Sequence, residues 1–394
     1  MLAPLPFRLT RNRFRGRAGR SVLDEAGYAE ARAAITGWPG YAPTPLVDLP
    51  GLASALGVAA IRWKEEGTRF GVGSFKALGG AYAVARHLRR TLARQGIMVT
   101  DADLASGRYA EHTRGLTVAC ATDGNHGRAV AWGASRFHCR AVVFVHAAVS
   151  AGRAEAIAAF GAEVRRAGAG YDEAVRLCAE AAAREGWQVI SDTSWPGYEE
   201  VPRAVMQGYR LMAEEAFAQW QGDGPTHIFI QAGVGGAAAA VAAQAASRFG
   251  NGTPRLIVVE PLTFDRFLRS LDAGYPVASP PCCETLMAGL ACAEPSRLAF
   301  EELLLRADAV LAVPDEGVAP TMRLLANGVA GDRPVVAGES AVAGLIGLAL
   351  ARANPGAAAA LGLGKRSRVL LFGTEGATDP DLYARLVGRR HTVA

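Results

Sequence analysis

The stretch TVACATDGNHGRAVAWGASRF, residues 117–137, decides the fold of this chain. It begins with a short apolar run typical of a buried strand and passes through a turn that contains two glycines. A helix is predicted to follow from about Gly127 to Phe137. Strand, glycine-containing turn and helix in this order form the repeating unit of parallel sheets wrapped by helices.

The same alternation continues along the chain in two blocks, separated by a long predicted helix at 202–220. The first block predicts strands at 117–120, 141–145, 163–165 and 188–191, with helices at 127–137, 150–160 and 171–185. The second predicts strands at 226–231, 255–259, 309–313 and 368–372, with helices at 236–249 and 341–351. Right-handed crossovers make each block an open, doubly wound α/β sheet whose ligand lies at the carboxyl ends of the strands.

Length and composition favour a two-domain cytoplasmic enzyme. The chain has 394 residues, of which 50% are hydrophobic and 20% charged, and domains average about 150 residues. This excludes disordered, collagen-like and disulfide-stapled chains. The longest apolar run, residues 341–351, is shorter than the ~20 residues that span a bilayer, and no signal peptide is recognisable, so no membrane partner is expected. The six cysteines form no Cys-x-x-Cys pair, and we interpret them as reduced thiols.

Basic residues crowd the N-terminus, although the net charge of the chain is only +5. Six arginines lie within the first 20 residues: Arg8, Arg11, Arg13, Arg15, Arg17 and Arg20. A nucleic-acid-binding arm and a transit peptide are alternatives, but a solvated tail that packs loosely on its own protein is the interpretation we favour. No signature of a nucleic-acid-binding fold follows, so we expect a small-molecule substrate and no nucleic acid.

Lysine is rare in this chain, and one lysine has unusual surroundings. Of the 42 basic residues, three are lysines: Lys64, Lys76 and Lys365. Lys76 lies in the glycine-rich segment GVGSFKALGG (71–80), directly before an apolar helix predicted at 77–85. Unlike arginine, a lysine can lose its proton when desolvated and form a Schiff base with an aldehyde. The alternative is a lysine at the start of a helix in ion contact with Glu65 or Glu66.

Two strand–turn–helix junctions carry further candidate ligands. In TDGNHG (122–127), Asn125 can hydrogen-bond a ring oxygen and Asp123 can act as a base, although both residues are also ordinary turn formers. In QAGVGG (231–236), successive backbone N–H groups can cradle a phosphate. A dinucleotide fingerprint is the nearest rival, but position 238 is Ala, and a Walker A lysine is absent. An amine, an asparagine-bearing turn and a phosphate loop together predict a pyridoxal phosphate site.

From about residue 40 onward the chain resembles the fold-type II (tryptophan synthase β-like) pyridoxal-phosphate enzymes, and more narrowly the diaminopropionate ammonia-lyases. The motifs that carry the resemblance are YAPTPL (41–46), RFG (69–71), FKALGG (75–80), ATDGNHGRAVAW (121–132), SDTSWPGY (191–198), MQGY (206–209), VEP (259–261), MAGLAC (287–292), GES (338–340) and TEGATD (374–379). Asp123 is the most specific match, since serine and threonine dehydratases usually carry Ser or Ala there.

The resemblance implies two doubly wound α/β domains with the cofactor in the cleft between them. Residues 1–80 and 201–394 would form the large cofactor-binding domain, and residues 81–200 the small one. It also implies a homodimer of amino-acid catabolism that converts 2,3-diaminopropionate to pyruvate and two ammonia by α,β-elimination. A serine or threonine dehydratase-like lyase on another β-substituted amino acid is the alternative. A nicotinamide oxidoreductase is disfavoured, because Glu260 lies farther beyond the loop than the ~20 positions expected. A non-catalytic binding protein is the fourth possibility.

The resemblance also implies roles for individual residues. Lys76 matches the Schiff-base lysine, Asp123 the base that takes the Cα proton of the D-isomer, and Asp192 a second acid near the substrate amine. The implied cofactor contacts are Lys76, Phe75, Asn125, Gly233, Val234, Gly235, Gly236 and Thr374, and no metal ligand is assigned.

Three departures from the family pattern bear on the substrate. Gly73 and Ser74 precede Phe75 and Lys76, where Asn-Ala is usual. Gly373 replaces the serine whose hydroxyl faces the pyridine nitrogen, and Thr374 or a water is the candidate substitute. The segment VHAAV (145–149) lacks the Pro-Lys pair common in the group.

Overall fold

The computed structural model describes residues 4–16, 19–280 and 284–389, and the chain divides into two compact units. The seven-stranded unit comprises Met1–Leu23, Pro43–Thr68 and Met212–Ala394, as far as these are described. The four-stranded unit comprises Asp24–Ala42 and Arg69–Leu211. Each unit has a largely parallel sheet flanked by helices, so the predicted α/β class is confirmed.

The strands of the described residues are β1 (Arg8–Arg11), β2 (Leu46–Asp48), β3 (Ala60–Glu65), β4 (Thr117–Ala121), β5 (Arg140–Val145), β6 (Glu163–Arg166), β7 (Gln188–Val189), β8 (His227–Gln231), β9 (Arg255–Pro261), β10 (Ala309–Val313) and β11 (Arg368–Gly373). The α-helices are α1 (Glu25–Thr36), α2 (Pro50–Leu56), α3 (Ala77–Arg94), α4 (Asp101–Ala105), α5 (Ala110–Thr113), α6 (Asn125–Arg136), α7 (Ala151–Ala158), α8 (Tyr171–Glu185), α9 (Glu200–Gln219), α10 (Gly236–Phe249), α11 (Arg266–Ala273), α12 (Arg297–Arg306), α13 (Val318–Asn327), α14 (Ala343–Ala353), α15 (Pro355–Leu361) and α16 (Pro380–Val387). Short 3₁₀ turns connect several of them.

The seven-stranded unit has the strand order β1-β10-β9-β8-β11-β3-β2. Its five central strands are parallel, whereas β1 and β2 pair antiparallel at the two edges. Every residue of β8 and of β10 is buried. Central strands of parallel sheets lie between two layers of helices, which explains their continuous apolar runs.

The four-stranded unit has the order β6-β5-β4-β7, and all its strand pairs are parallel. Because the strands are parallel, the segments that follow β4, β5 and β7 meet at the same edge of the sheet. Helices α3 and α6 pack closely through small residues: a Cβ at Gly133 would lie 2.7 Å from the Ala81 Cα. This packing holds α3 against α6 within the four-stranded unit. Lys76 directly precedes the first turn of α3.

The unit boundaries differ from the predicted domain limits. Residues 24–42, 69–80 and 201–211 lie with the four-stranded unit, although the prediction placed them in the large domain. Helix α3 is continuous from Ala77 to Arg94, so a boundary at residue 80 would cut it after one turn. Helix α1 is tied to the end of this unit, because the buried Arg210 guanidinium binds Glu25 at 2.7 Å and lies 4.3 Å from the centre of the Tyr28 ring.

The basic N-terminal segment is part of the sheet rather than a solvated tail. Strand β1, which begins at Arg8, pairs antiparallel with β10. The Arg8 guanidinium also forms an ion pair with Asp265, and Arg13 donates to the Asp272 carbonyl oxygen at 2.5 Å. This part of the segment thus packs on its own protein, as predicted, but by strand pairing and an ion pair rather than loosely, while Arg17 lies outside the described residues.

The cysteines of the described residues, Cys120, Cys139, Cys178 and Cys292, are free thiols, and burial raises the pKa of Cys139 to about 12. Cys282 and Cys283 lie outside the described residues. Among the helices described, none combines the length and the apolar character that crossing a membrane requires.

Helices α3 and α9 are in such close contact that one added methyl group between them is predicted to destabilise the protein. A Cβ at Gly208 would lie 2.0 Å from the Leu78 carbonyl oxygen. We expect Gly208→Ala to destabilise the protein by about 1–3 kcal/mol, since the two backbones must separate. Urea unfolding followed by circular dichroism measures this, with Gly152→Ala as control, because a Cβ at Gly152 has no neighbour within 4 Å. Equal midpoints for the two variants would contradict the prediction.

Candidate active site

The three lysines have different surroundings, which separate their chemistry. Lys64 is fully buried, and its ammonium binds Glu215 at 2.7 Å, the Thr44 carbonyl oxygen at 2.7 Å and Gln219 at 3.0 Å. All three of its N–H donors are thus engaged. Lys365 is exposed to solvent. The Lys76 side chain is 20% exposed, so it combines partial shelter with access.

The chain makes a tight turn directly before Lys76. Phe70, Gly71 and Gly73 have φ values of +50°, +70° and +87°, a backbone region in which glycine carries no steric cost. Helix α3 then begins at Ala77, and no side chain caps its N-terminus. The Lys76 Nζ lies 5.4 Å from the centre of the Phe75 ring and 5.8 Å from that of the Tyr209 ring. The turn therefore places the amine beside two aromatic rings.

Lys76 and Asp192 are brought together across the four-stranded unit. The Lys76 Nζ lies 2.5 Å from Asp192 Oδ2, and Asp192 follows strand β7. The structure thus gives the lysine an ion partner in Asp192, which neither Glu65 nor Glu66 of the alternative interpretation anticipated. A carboxylate at this distance favours the protonated amine. In this structure Lys76 is thus one half of an ion pair with Asp192.

The electrostatics of Asp192 depend on its two neighbours. Burial by itself would raise the pKa of Asp192, but the Lys76 ammonium and the His126 ring more than offset burial, and the pKa lies well below its ordinary value. The His126 Nε2 is 2.8 Å from the Ile190 carbonyl oxygen, and its Nδ1 is 3.8 Å from Asp192 Oδ2. Burial lowers the pKa of His126. His126 thus lies next to the ion pair, and the sequence analysis gave it no role.

Asp123 has a partner that the sequence analysis did not identify. Its Oδ1 lies 2.8 Å from the Nε2 of His146, which follows β5 directly. The Ala148 N–H donates to the His146 Nδ1 at 3.3 Å. Since Nδ1 accepts, Nε2 carries the proton and donates it to Asp123. This histidine lies in VHAAV, the segment that departs from the family pattern.

The turn before α6 is held by Thr122. Its Oγ1 accepts hydrogen bonds from the N–H groups of Gly124 at 3.0 Å and Gly127 at 3.1 Å. A Cβ at Gly127 would lie 2.4 Å from the Thr122 Cγ2, which explains glycine there. Asn125 is the first residue of α6 and is half-buried. Its contact with a cofactor ring stays a prediction.

The glycine loop 233–236 belongs to the seven-stranded unit and leads into α10. Gly235 has a φ of +97°, and a Cβ there would lie 2.3 Å from Phe267 Cζ. A Cβ at Gly233 would lie 2.7 Å from the Gly289 carbonyl oxygen. No side chain caps the N-terminus of α10. An uncapped helix N-terminus after a glycine loop is a typical phosphate site.

Thr374 is buried at the end of β11, next to Gln231. The Gln231 Nε2 donates to the Thr374 Oγ1 at 2.6 Å and to the Phe372 carbonyl oxygen at 2.8 Å. The hydroxyl oxygen therefore accepts this bond, and its own proton remains to be donated.

Comparison with known proteins identifies the family. Residues 38–371 match the family model of pyridoxal-phosphate dependent enzymes. The chain belongs to this family. It is also 38% identical over 359 residues to the diaminopropionate ammonia-lyase of Salmonella typhimurium, covering 89% of each chain, and so belongs to the diaminopropionate ammonia-lyase group of these pyridoxal-phosphate dependent enzymes.

Solved structures of the pyridoxal-phosphate dependent enzymes give the same result. The fold matches Escherichia coli diaminopropionate ammonia-lyase in complex with an aminoacrylate-PLP azomethine reaction intermediate, with a TM-score of 0.88, 35% identity and 97% of each chain covered. The same enzyme in complex with D-serine matches with a TM-score of 0.87, 34% identity and 97% coverage of each chain. Fold-type II architecture is therefore confirmed.

The residues of this chain fit the family cofactor, pyridoxal phosphate. Lys76 supplies a partly sheltered amine for its aldehyde, and the uncapped N-terminus of α10 supplies free N–H groups for its phosphate. Both ligand types are those that the cofactor requires.

The glycine that replaces a family serine has a packing reason in this pyridoxal-phosphate dependent enzyme. A Cβ at Gly373 would lie 2.1 Å from the indole Nε1 of Trp63, on the neighbouring strand β3. Trp63 thus occupies the space that a serine side chain would need. The other departure, Ser74, is fully buried, and within the described residues its hydroxyl has no hydrogen-bond partner.

The Lys76–Asp192 ion pair predicts that Asp192→Asn and the wild type differ in free energy of unfolding, and that this difference depends on pH. We expect Asp192→Asn to lower the free energy of unfolding of the cofactor-free protein by about 2 kcal/mol at neutral pH. A carboxyl whose folded-state pKa is lowered stabilises the fold above its unfolded pKa of about 3.9 and loses that contribution as the pH falls through the folded value. The difference between variant and wild type should therefore shrink below about pH 4.

Denaturant titrations at several pH values measure the effect. Asp223→Asn is the control, because the Asp223 side chain is 87% exposed and lies 3.8 Å from its arginine partner. A difference between Asp192→Asn and wild type that grows with acidity would contradict the prediction.

Proposed function

We propose that this protein is a pyridoxal-phosphate dependent ammonia-lyase that converts 2,3-diaminopropionate to pyruvate and two ammonia by α,β-elimination. The observation that carries the proposal is the pairing of the Lys76 amine with the Asp192 carboxylate at the edge of the sheet that also holds Asp123 and His146. Relatives that span nine-tenths of the chain are diaminopropionate ammonia-lyases.

The proposed cofactor contacts are Lys76, Phe75, Asn125, Gly233, Val234, Gly235, Gly236 and Thr374. When bound, pyridoxal phosphate provides the electron sink that allows a Cα proton to be removed.

Lys76 and Asp192 share one proton in this proposal. The Lys76 ammonium must lose a proton before its nitrogen can act as a nucleophile, and the Asp192 carboxylate, 2.5 Å away, relays that proton to solvent without retaining it, because its pKa is well below the ordinary value. Ammonia leaves easily only when the β-nitrogen of the substrate is protonated. Because the pair holds an exchangeable proton, Lys76 or Asp192 is its donor.

Asp123 is the proposed base for the D-isomer of the substrate. The His146 Nε2–H contacts Oδ1 of Asp123, which fixes the carboxylate and leaves Oδ2 to take the Cα proton. The complex of the Escherichia coli relative with D-serine shows that this relative binds a D-amino acid.

Stoichiometry separates the proposed reaction from the second candidate. A dehydratase-like lyase on serine or threonine is favoured by Ser74, at a position where the sequence departs from the group. Diaminopropionate yields two ammonia per pyruvate, whereas serine yields one. We expect the ratio of two with diaminopropionate and a much lower kcat/KM with serine. Faster turnover of serine than of diaminopropionate would overturn the proposal.

The assembly and location of the enzyme are also proposals. We infer a homodimer, which sedimentation equilibrium of the full chain tests, and a cytoplasmic role in amino-acid catabolism. A monomeric mass across the accessible concentration range would overturn the dimer.

A further inference from the structure

A buried arginine lies against the glycine loop of the seven-stranded unit. Arg266, the first residue of α11, is 0% exposed. Its Nε donates to the Gly233 carbonyl oxygen at 2.9 Å, and its Nη2 donates to the Ala232 carbonyl oxygen at 2.6 Å and also to that of Gly233. Its Nη1 donates to the Phe264 carbonyl oxygen at 2.7 Å. One side chain thus engages two successive carbonyl groups of the loop.

These bonds set the direction of the N–H groups in the loop. In a trans peptide the carbonyl and the N–H of the next residue point in opposite directions, and the chain contains no cis peptide among its described residues. The Ala232 and Gly233 carbonyls point at the guanidinium, so the N–H groups of Gly233 and Val234 point away from it. Arg266 therefore turns both donors outward, as a phosphate cradle requires.

The charge of Arg266 is only partly balanced by the carboxylates of the described residues. Its nearest carboxylate, Glu260, lies 3.9 Å away, and the two Glu260 oxygens accept hydrogen bonds from the N–H groups of Phe267 and Leu268. Burial raises the pKa of Glu260 to about 7, although Arg266 opposes the shift. Asp265 forms its ion pairs elsewhere, with Arg8 and Arg269. Since a guanidinium is always charged and a buried charge requires a counter-ion, a further anion is favoured near this loop.

We propose that Arg266 is a positioning residue for the phosphate of the cofactor: it fixes the loop with its N–H groups outward and supplies a positive charge behind them. The ligand it serves is a phosphate dianion. The inference rests on the cofactor and not on the choice of amino-acid substrate.

The test compares the cofactor with and without its phosphate. We expect Arg266→Met to raise the Kd of the cofactor-free full chain for pyridoxal phosphate by about tenfold or more, and to leave the Kd for pyridoxal unchanged. Arg269→Met is the matched control on the same helix, since Arg269 is paired with Asp265 and partly exposed. An equal rise for both ligands, or no rise for pyridoxal phosphate, would overturn the proposal.

Two further variants separate charge from structure and keep the test valid if Arg266→Met does not fold. Arg266→Lys keeps the charge but loses the fork of donors, so we expect a smaller rise in the Kd for pyridoxal phosphate. Glu260→Gln removes the competing negative charge, so we expect tighter or unchanged phosphate binding. Weaker binding in Glu260→Gln would mean that Arg266 only holds the helix. Failure of diaminopropionate turnover would leave these binding constants unaffected.

Discussion

Replacement of Lys76 by alanine is expected to reduce kcat/KM for diaminopropionate by about 10⁴-fold or more, the scale of losing a nucleophile. The reason lies in the three lysines of the chain. Lys64 has all its donors engaged in a buried cluster, and Lys365 is exposed without shelter. Neither lysine can replace Lys76, whose side chain is 20% exposed and whose amine lies next to a carboxylate.

Pyruvate release measured with a coupled assay gives this rate. Lys365→Ala is the matched control and should retain wild-type turnover. The circular dichroism spectrum of Lys76→Ala should be that of the wild type, because the lysine side chain is not part of an apolar core. Retention of more than a hundredth of the activity would be inconsistent with the assigned role.

Asp123→Asn is expected to reduce kcat/KM for the D-isomer of diaminopropionate by about 10²–10⁴-fold, the usual contribution of a placed general base. Asparagine keeps the shape and can still accept the bond from the His146 Nε2–H, but it cannot take a proton. The L-isomer presents its Cα proton on the opposite face, so its rate should fall much less.

The ratio of the two kcat/KM values is the measurement, and the L-isomer serves as the internal control. His146→Ala should move the ratio in the same direction by a smaller factor, since it releases the carboxylate without removing it. An equal loss for both isomers would show that Asp123 does not select between them.

Local sequence was sufficient to predict the β-α units of the four-stranded unit. Apolar runs and glycine turns placed β4, β5 and α8 within a residue or two of their observed bounds, because continuous burial and helix stop signals are local properties. Helix α3 was predicted too short, at 77–85 instead of Ala77–Arg94. Its second half carries polar residues on one face, which weakens an apolar pattern.

Contacts between distant segments could not be predicted in the same way. Lys76 and Asp192 are 116 positions apart in the chain, and their contact depends on how α3 packs on α6 as well as on where β7 lies in the sheet. The position of His146 in the sequence does indicate its contact with Asp123. His146 follows β5 directly, and β5 is the neighbour of β4, which precedes Asp123. Residues after adjacent parallel strands lie side by side.

Packing explains what no pattern indicated. The buried Arg266 lies in a segment for which no element was predicted, and arginine is ordinarily a surface residue. Gly373 and Trp63 are complementary in volume across two strands that are far apart in sequence. Such pairs are determined by three-dimensional packing, which a single sequence does not reveal.

The most direct measurement is borohydride reduction of the holoenzyme followed by peptide mass spectrometry. Reduction makes the bond between the cofactor and its lysine permanent, so the labelled peptide identifies the amine. The account predicts a pyridoxyl group on Lys76 and on no other lysine. A label on Lys64 or Lys365, with Lys76 unmodified, would contradict it.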